Sequence, residues 1–106
     1  MSAHDLVLPR LCGTRWSARN LIQEQLIAHS SLHEDDGPRA YCVVTIHGDD
    51  LLACAGGYVD ELIRELCQER EYVLRLSGFD AVKNADFLKF FERQIEARGM
   101  ESMVVR

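Results

Sequence analysis

Apolar positions along this chain follow two periods, one helical and one extended. Val59, Leu62, Ile63, Leu66 and Cys67 repeat at i, i+3, i+4, i+7 and i+8, which is one face of an α-helix. Asp60 and Glu61 then fall in its first turn, where the positive end of the helix dipole favours acids. Earlier, Ala18, Leu21, Ile22 and Leu26 share a face and predict a helix from Arg15 to near His29, capped by Thr14. Trp16 at its start is placed to cover the helix end. A last helix is predicted from near Asn84 to Arg98, with Ala85, Leu88, Phe91 and Ile95 inward and Gly99 suited to its C-terminal cap. Phe87 and Phe90 widen that apolar face.

Extended segments separate these helices. Asp5 to Leu8 is a short strand closed by Pro9, and Glu71 to Leu76 (EYVLRL) is a strand ended by Ser77 and Gly78. Ala40 to Ile46 reads AYCVVTI. Its β-branched and apolar run from Tyr41 to Ile46 predicts a central strand buried on both faces, as in a parallel sheet under helices. Gly48, Asp49 and Asp50 end it, and Leu51 to Ala55 continues apolar into Gly56 and Gly57. Ser30 to Pro38 (SSLHEDDGP) is the main loop. The order is β-α-β-α-β-α. It predicts one small α/β domain over residues 1–106, with a mainly parallel or mixed sheet, right-handed crossovers and helical cover. Residues 1–4 and 100–106 are expected to fray, unless the tail adds a short strand.

Composition narrows the function. Seventeen acids against twelve lysines and arginines leave a net charge of −5, which argues against a nucleic-acid binder held by phosphate neutralisation. No apolar run reaches membrane-spanning length, and Met1 to Arg10 lacks a basic-then-apolar leader, so a cytoplasmic protein without membrane contact is expected. Cys12, Cys42, Cys54 and Cys67 form no C-x-x-C pair and read as free thiols.

Candidate chemistry is sparse. Cys54 precedes a helix N-terminus, a place that can activate a thiol or cradle an anion. A phosphatase loop needs an arginine six residues on; that position is Asp60, so a small buried cysteine is the better reading. The glycines fit neither dinucleotide nor phosphate-loop patterns. His29 and His33 are four apart and followed by Glu34, Asp35 and Asp36, but no H-E-x-x-H pattern exists; the segment reads as a solvated acidic loop. His4 reads as terminal and His47 as a loop residue. Ser17, Ser30, Ser31 and Ser77 read as cap, loop and turn residues. Asp49-Asp50 and Asp60-Glu61 read as turn and dipole partners, not an acid/base pair. Arg10, Arg15 and Arg19 form a basic cluster, an anion or phosphate contact or, the favoured reading, solvated ends pairing with acids such as Glu24. No catalytic residue, metal or cofactor is expected. Should Glu34, Asp35, Asp36, Asp49 and Asp50 fall together, they make an acidic patch that suits a basic partner.

Three segments carry a family resemblance: Gly13-Thr14-Arg15 with Ala18-Arg19 and Leu21; Val43-Val44-Thr45-Ile46 with Gly48; and Gly57-Tyr58-Val59-Asp60-Glu61-Leu62-Ile63. In this order and spacing, spanning Leu6 to Ile95, the chain resembles the STAS-like domain family of bacteria, related in fold to sulfate-transporter and anti-sigma-factor antagonist domains. The chain departs from it at Ala55, Gly56 and Gly57, where the family often has serines and its antagonist relatives a phosphorylated hydroxyl. It departs again at Thr45, Ile46 and His47, where an acid is common. The resemblance implies a small regulatory or protein-binding module, not an enzyme; the missing hydroxyl at Ala55, Gly56 and Gly57 argues against a phosphorylation switch at this helix end. It also implies a partner surface at the strand-to-helix turn and the helix after it: Cys54, Gly56, Gly57, Tyr58, Glu61, Arg64 and Glu65. Tyr58 is expected to lean on the helix end with its hydroxyl outward, Glu61 and Glu65 to face water, and the two glycines to leave bare backbone. Two other readings stand beside it. One is a small acidic phage or mobile-element inhibitor, anti-CRISPR-like, that blocks a nucleic-acid-binding complex. The other is an enzyme with Cys54 as nucleophile.

Overall fold

The computed structural model describes residues 2–27, 42–69 and 72–105. The chain runs β1 (Ser2–Val7), β2 (Leu11–Cys12), α1 (Arg15–Ile22), β3 (Cys42–His47), β4 (Ala53–Cys54), α2 (Gly56–Glu69), β5 (Tyr72–Ser77), α3 (Ala85–Ala97) and β6 (Val104–Val105). It is the expected α/β fold. β1, β3, β5 and β6 form a parallel sheet in that spatial order, and β2 pairs with β4 in a second, two-stranded parallel sheet. His4, Val44, Leu74 and Val104 share one register row, and Leu6, Ile46 and Leu76 the next but one.

Strand order follows chain order, so β3 is internal, as expected. Each crossover steps to the next strand, and crossovers of one hand place α1, α2 and α3 on the same side. Burial agrees. Leu6, Val44, Ile46, Tyr72 and Leu74 are buried with Leu21, Ile22, Leu62, Leu66, Phe87, Phe91 and Ile95 from the three helices. Among the described residues, no helix lies on the opposite face of the sheet. Asp5, Val7, Arg75 and Val105 are exposed there, and Val43, Thr45 and His47 are half-buried. The double-sided burial expected of β3 is therefore corrected to one side. Val43 and Thr45 suit a strand by their branching whether or not a layer covers them.

Several expected boundaries move. Ser2 to His4 do not fray; they pair with Cys42 to Val44. His47 is a strand residue, and its Nε2 lies 2.8 Å from Asp5 Oδ1 across the open face. Thr14 caps α1 by accepting from Ser17 N at 3.0 Å. The helix then widens into a π-turn, Gln23–Ile27. There the Gln25 amide accepts from Val7 N (2.7 Å) and donates to Val7 O (3.0 Å), so it occupies the free edge of β1 at that residue. The tail adds β6 after a 3₁₀ turn, Glu101–Met103. The loop Ser30 to Pro38, with His29, His33, Glu34, Asp35 and Asp36, lies outside the described residues.

α3 sits rotated from its expected face. Phe87, Phe91 and Ile95 are its buried positions, while Ala85 is exposed and Leu88 half-buried. Phe79, Phe87 and Phe91 stack in sequence, with centroids 4.5 and 5.9 Å apart. The helix ends as expected: Gly99 has φ +65°, its N–H bonds Glu96 O, and Met100 N reaches Ile95 O. Buried Asn84 accepts from Asp80 N and donates to Leu51 O at 3.0 Å, which fixes the start of α3 beside β4.

Candidate functional site

Two strand-to-helix transitions lie side by side. Cys12 ends β2 and leads through Gly13-Thr14 into α1; Cys54 ends β4 and leads through Ala55 into α2. The pairing of Cys12 with Cys54, and the bond from Ala55 N to Cys12 O at 2.8 Å, tie the transitions together. This brings the first and third segments of the family resemblance into contact.

The contact is ionic. Arg15 Nη1 donates to Asp60 Oδ2 and lies 3.7 Å from Glu61 Oε1. Arg19 Nε lies 3.3 Å from Glu61 Oε2, and Arg64 Nη2 lies 3.7 Å from the same oxygen. From the end of α3, Arg98 Nη2 donates to Asp60 Oδ1 at 2.9 Å. Arg15 first, then Arg98, hold the Asp60 carboxyl below its ordinary range, and Asp60 in turn raises Arg15. Burial, then the neighbouring Glu61, push Glu65 up.

This corrects three expectations. Asp60 and Glu61 are not first-turn residues, because α2 begins at Gly56. Arg15 and Arg19 pair with them rather than with Glu24. Glu61, expected in water, is only 3% exposed. A carboxylate is tolerated there because three guanidiniums surround it while keeping about half of their own surface wet.

Tyr58 is also corrected. Its ring and hydroxyl are fully buried, not turned outward. The hydroxyl lies against the Cys12 thiol, which itself leans on Pro9 O at 3.6 Å. Burial pushes the Cys12 thiol up to about 11 and raises the Tyr58 phenol well above its ordinary value. Nor do the glycines leave bare backbone. A Cβ on Gly56 would meet the Phe90 ring, and one on Gly57 the Arg15 side chain. A cleft of about 260 Å³ opens there, lined by Arg15, Gly56, Asp60, Phe90, Arg93 and Gln94.

The other expected site residues divide. Arg64 is exposed and Glu65 half-buried on α2. Cys54 is half-buried, and burial, then Asp86, raise its thiol above the ordinary value. Both effects oppose thiolate formation, contrary to what a nucleophile needs. Asp49 and Asp50 are exposed in the turn after β3. Among the described residues no helix is long and apolar enough to cross a membrane.

Two exposed apolar residues near the paired transitions, Leu11 and Leu52, have no role in the sequence pattern, and a third, Trp16, takes a different place from the one expected. Leu11 is 70% and Trp16 69% exposed, and Leu52 is exposed in the connection leading to β4. Trp16 was expected to cover the helix end and does not. It lies two positions before the Ala18-Leu21-Ile22 stripe, on the far side of the helix, and that offset was the available signal. Compared with protein-family models, with curated proteins and with solved structures, the chain matches none.

Proposed function

We propose that this chain is a non-catalytic, protein-binding regulatory module of STAS-like type. The observation that carries the reading is the exposure of Leu11 and Trp16 beside the paired strand-to-helix transitions. Large apolar side chains clustered in water are a cost that a partner's surface removes, and tryptophan is a frequent anchor of such interfaces. Leu52 is exposed on the neighbouring connection, its amide bonding the Arg10 carbonyl next to Leu11. The STAS-like part of the reading is supported by the ion pairs of Arg15 and Arg19 with Asp60 and Glu61. They make one rigid unit from residues that carry the resemblance in two separate segments. The raised thiols of Cys12 and Cys54 favour a module over a cysteine-dependent enzyme.

The test is affinity capture from cells that encode the chain, with quantitative mass spectrometry and four proteins run in parallel. These are the wild type, Leu11→Ser with Trp16→Ser, Arg64→Glu with Glu65→Arg, and Asp49→Lys with Asp50→Lys. The reading expects a specific partner that the first variant loses. Loss only with the aspartate variant favours the acidic inhibitor, and no specific partner in any arm rejects the module.

A further inference from the structure

Leu11 and Trp16 are two walls of an open groove of about 460 Å³ between the β1–β2 connection, α1 and the turn after β3. Val7, Leu8 and Pro9 continue the apolar wall, and Tyr58 lies in the floor. Among the described residues its charged lining residues are Glu24 and Asp50, both acids, with no lysine or arginine beside them. Most of the polar rim is already bonded within the chain. Ser17 shares a hydrogen bond of 2.8 Å with Thr14, and Asn20 Nδ2 donates to Glu24 Oε1 at 3.2 Å. Gln25 occupies both the N–H and the carbonyl of Val7.

These bonds decide how a partner can dock. With the Val7 edge taken by Gln25, an added β-strand finds no ladder to join there. What remains is apolar surface and two carboxylates, so recognition runs through side chains. We propose that the groove receives a peptide segment of a partner protein that presents large apolar side chains flanked by lysine or arginine. The apolar groups cover Leu11 and Trp16, and the basic groups face Glu24 and Asp50. An acidic segment would place like charges together, and a purely apolar one would leave both carboxylates without a counter-charge. This inference rests on the protein-binding reading and names the chemistry of its partner.

The experiment is selection of random peptides from a displayed library on the full chain, followed by titration of the synthetic consensus peptide. Trp16 is the only tryptophan, so its emission reports the groove alone. The expected result is a consensus with large apolar residues and net positive charge, and a saturable blue shift of Trp16 emission. Leu11→Asp and Asp50→Lys should each weaken binding about tenfold or more with the melt unchanged. No enrichment, an acidic or charge-indifferent consensus, a silent Trp16, or unchanged affinity in Leu11→Asp each overturns the proposal. The underlying reading fails separately. A partner captured from cells that still binds Leu11→Asp, but not Arg64→Glu with Glu65→Arg, keeps the module and rejects the groove.

Discussion

Arg15 at the head of α1 and Asp60 in the second turn of α2 are hydrogen-bonded partners 45 positions apart. Their pairing locks two neighbouring strand-to-helix transitions into one unit. Arg98 takes the second oxygen of Asp60, so α1, α2 and the end of α3 meet at a single carboxylate.

This carboxylate has a defined pH signature. Its pKa is depressed in the folded chain, so the unfolded chain takes up protons first as pH falls. The contribution is present above the unfolded value, about 3.9, and is lost as pH falls through the lower folded value. The arginines are partly exposed, so the loss is small, about 1 kcal/mol or less. Asp60→Asn should lower stability at pH 7 by about that amount and flatten the acid limb of a stability-against-pH curve. Chemical denaturation between pH 7 and 2.5 measures both.

Alkali acts through Cys12. Its thiol is held protonated up to about 11, whereas an unfolded cysteine ionises near 8.5. The raised folded value means stability is complete below the unfolded pKa and falls as pH rises through the folded one. Cys12→Ala should flatten the decline between roughly pH 8.5 and 11, a component worth about 3 kcal/mol. An equally steep limb in the variant would reject the assignment.

Leu62 lies fully buried on the inner stripe of α2. Leu62→Ala removes buried methyl groups and leaves a cavity, with an expected cost of about 2–5 kcal/mol. A denaturant melt that moves by less than about 0.5 kcal/mol would place that stripe outside the core.

Gly48 is constrained by space, not by backbone angle. A Cβ there would run into the Phe79 ring, which stacks on Phe87. Gly48→Ala should displace that ring and cost about 1–3 kcal/mol. Gly13 has nothing within 4 Å of the same position, so Gly13→Ala should be neutral or slightly stabilising. Thermal melts of the two variants compare them directly.

Local pattern reached most of the fold. The α2 stripe was legible because Val59, Leu62, Ile63 and Leu66 face one way, and the Thr14 cap and Gly99 stop because their chemistry is local. The open sheet face was not, since Val43 and Thr45 look the same in sequence whether a helix covers them or not. On α3 the four-residue spacing of Phe87, Phe91 and Ile95 carries larger rings than the face begun at Ala85, and the larger groups took the core. Glu61 was misread because its counter-charges Arg15 and Arg19 come from another helix. Spacing within α2 holds no trace of them. Of the proposed binding surface, the acid at Asp50 was legible. The exposure of Leu11 and Trp16 depends on how α1 is rotated against the sheet.

The proposed partner surface lies around Leu11 and Trp16. The direct measurement is Trp16 emission during titration with the partner recovered by capture. A saturable blue shift, lost in Leu11→Asp, is the predicted result; binding with the emission of Trp16 unchanged would contradict it.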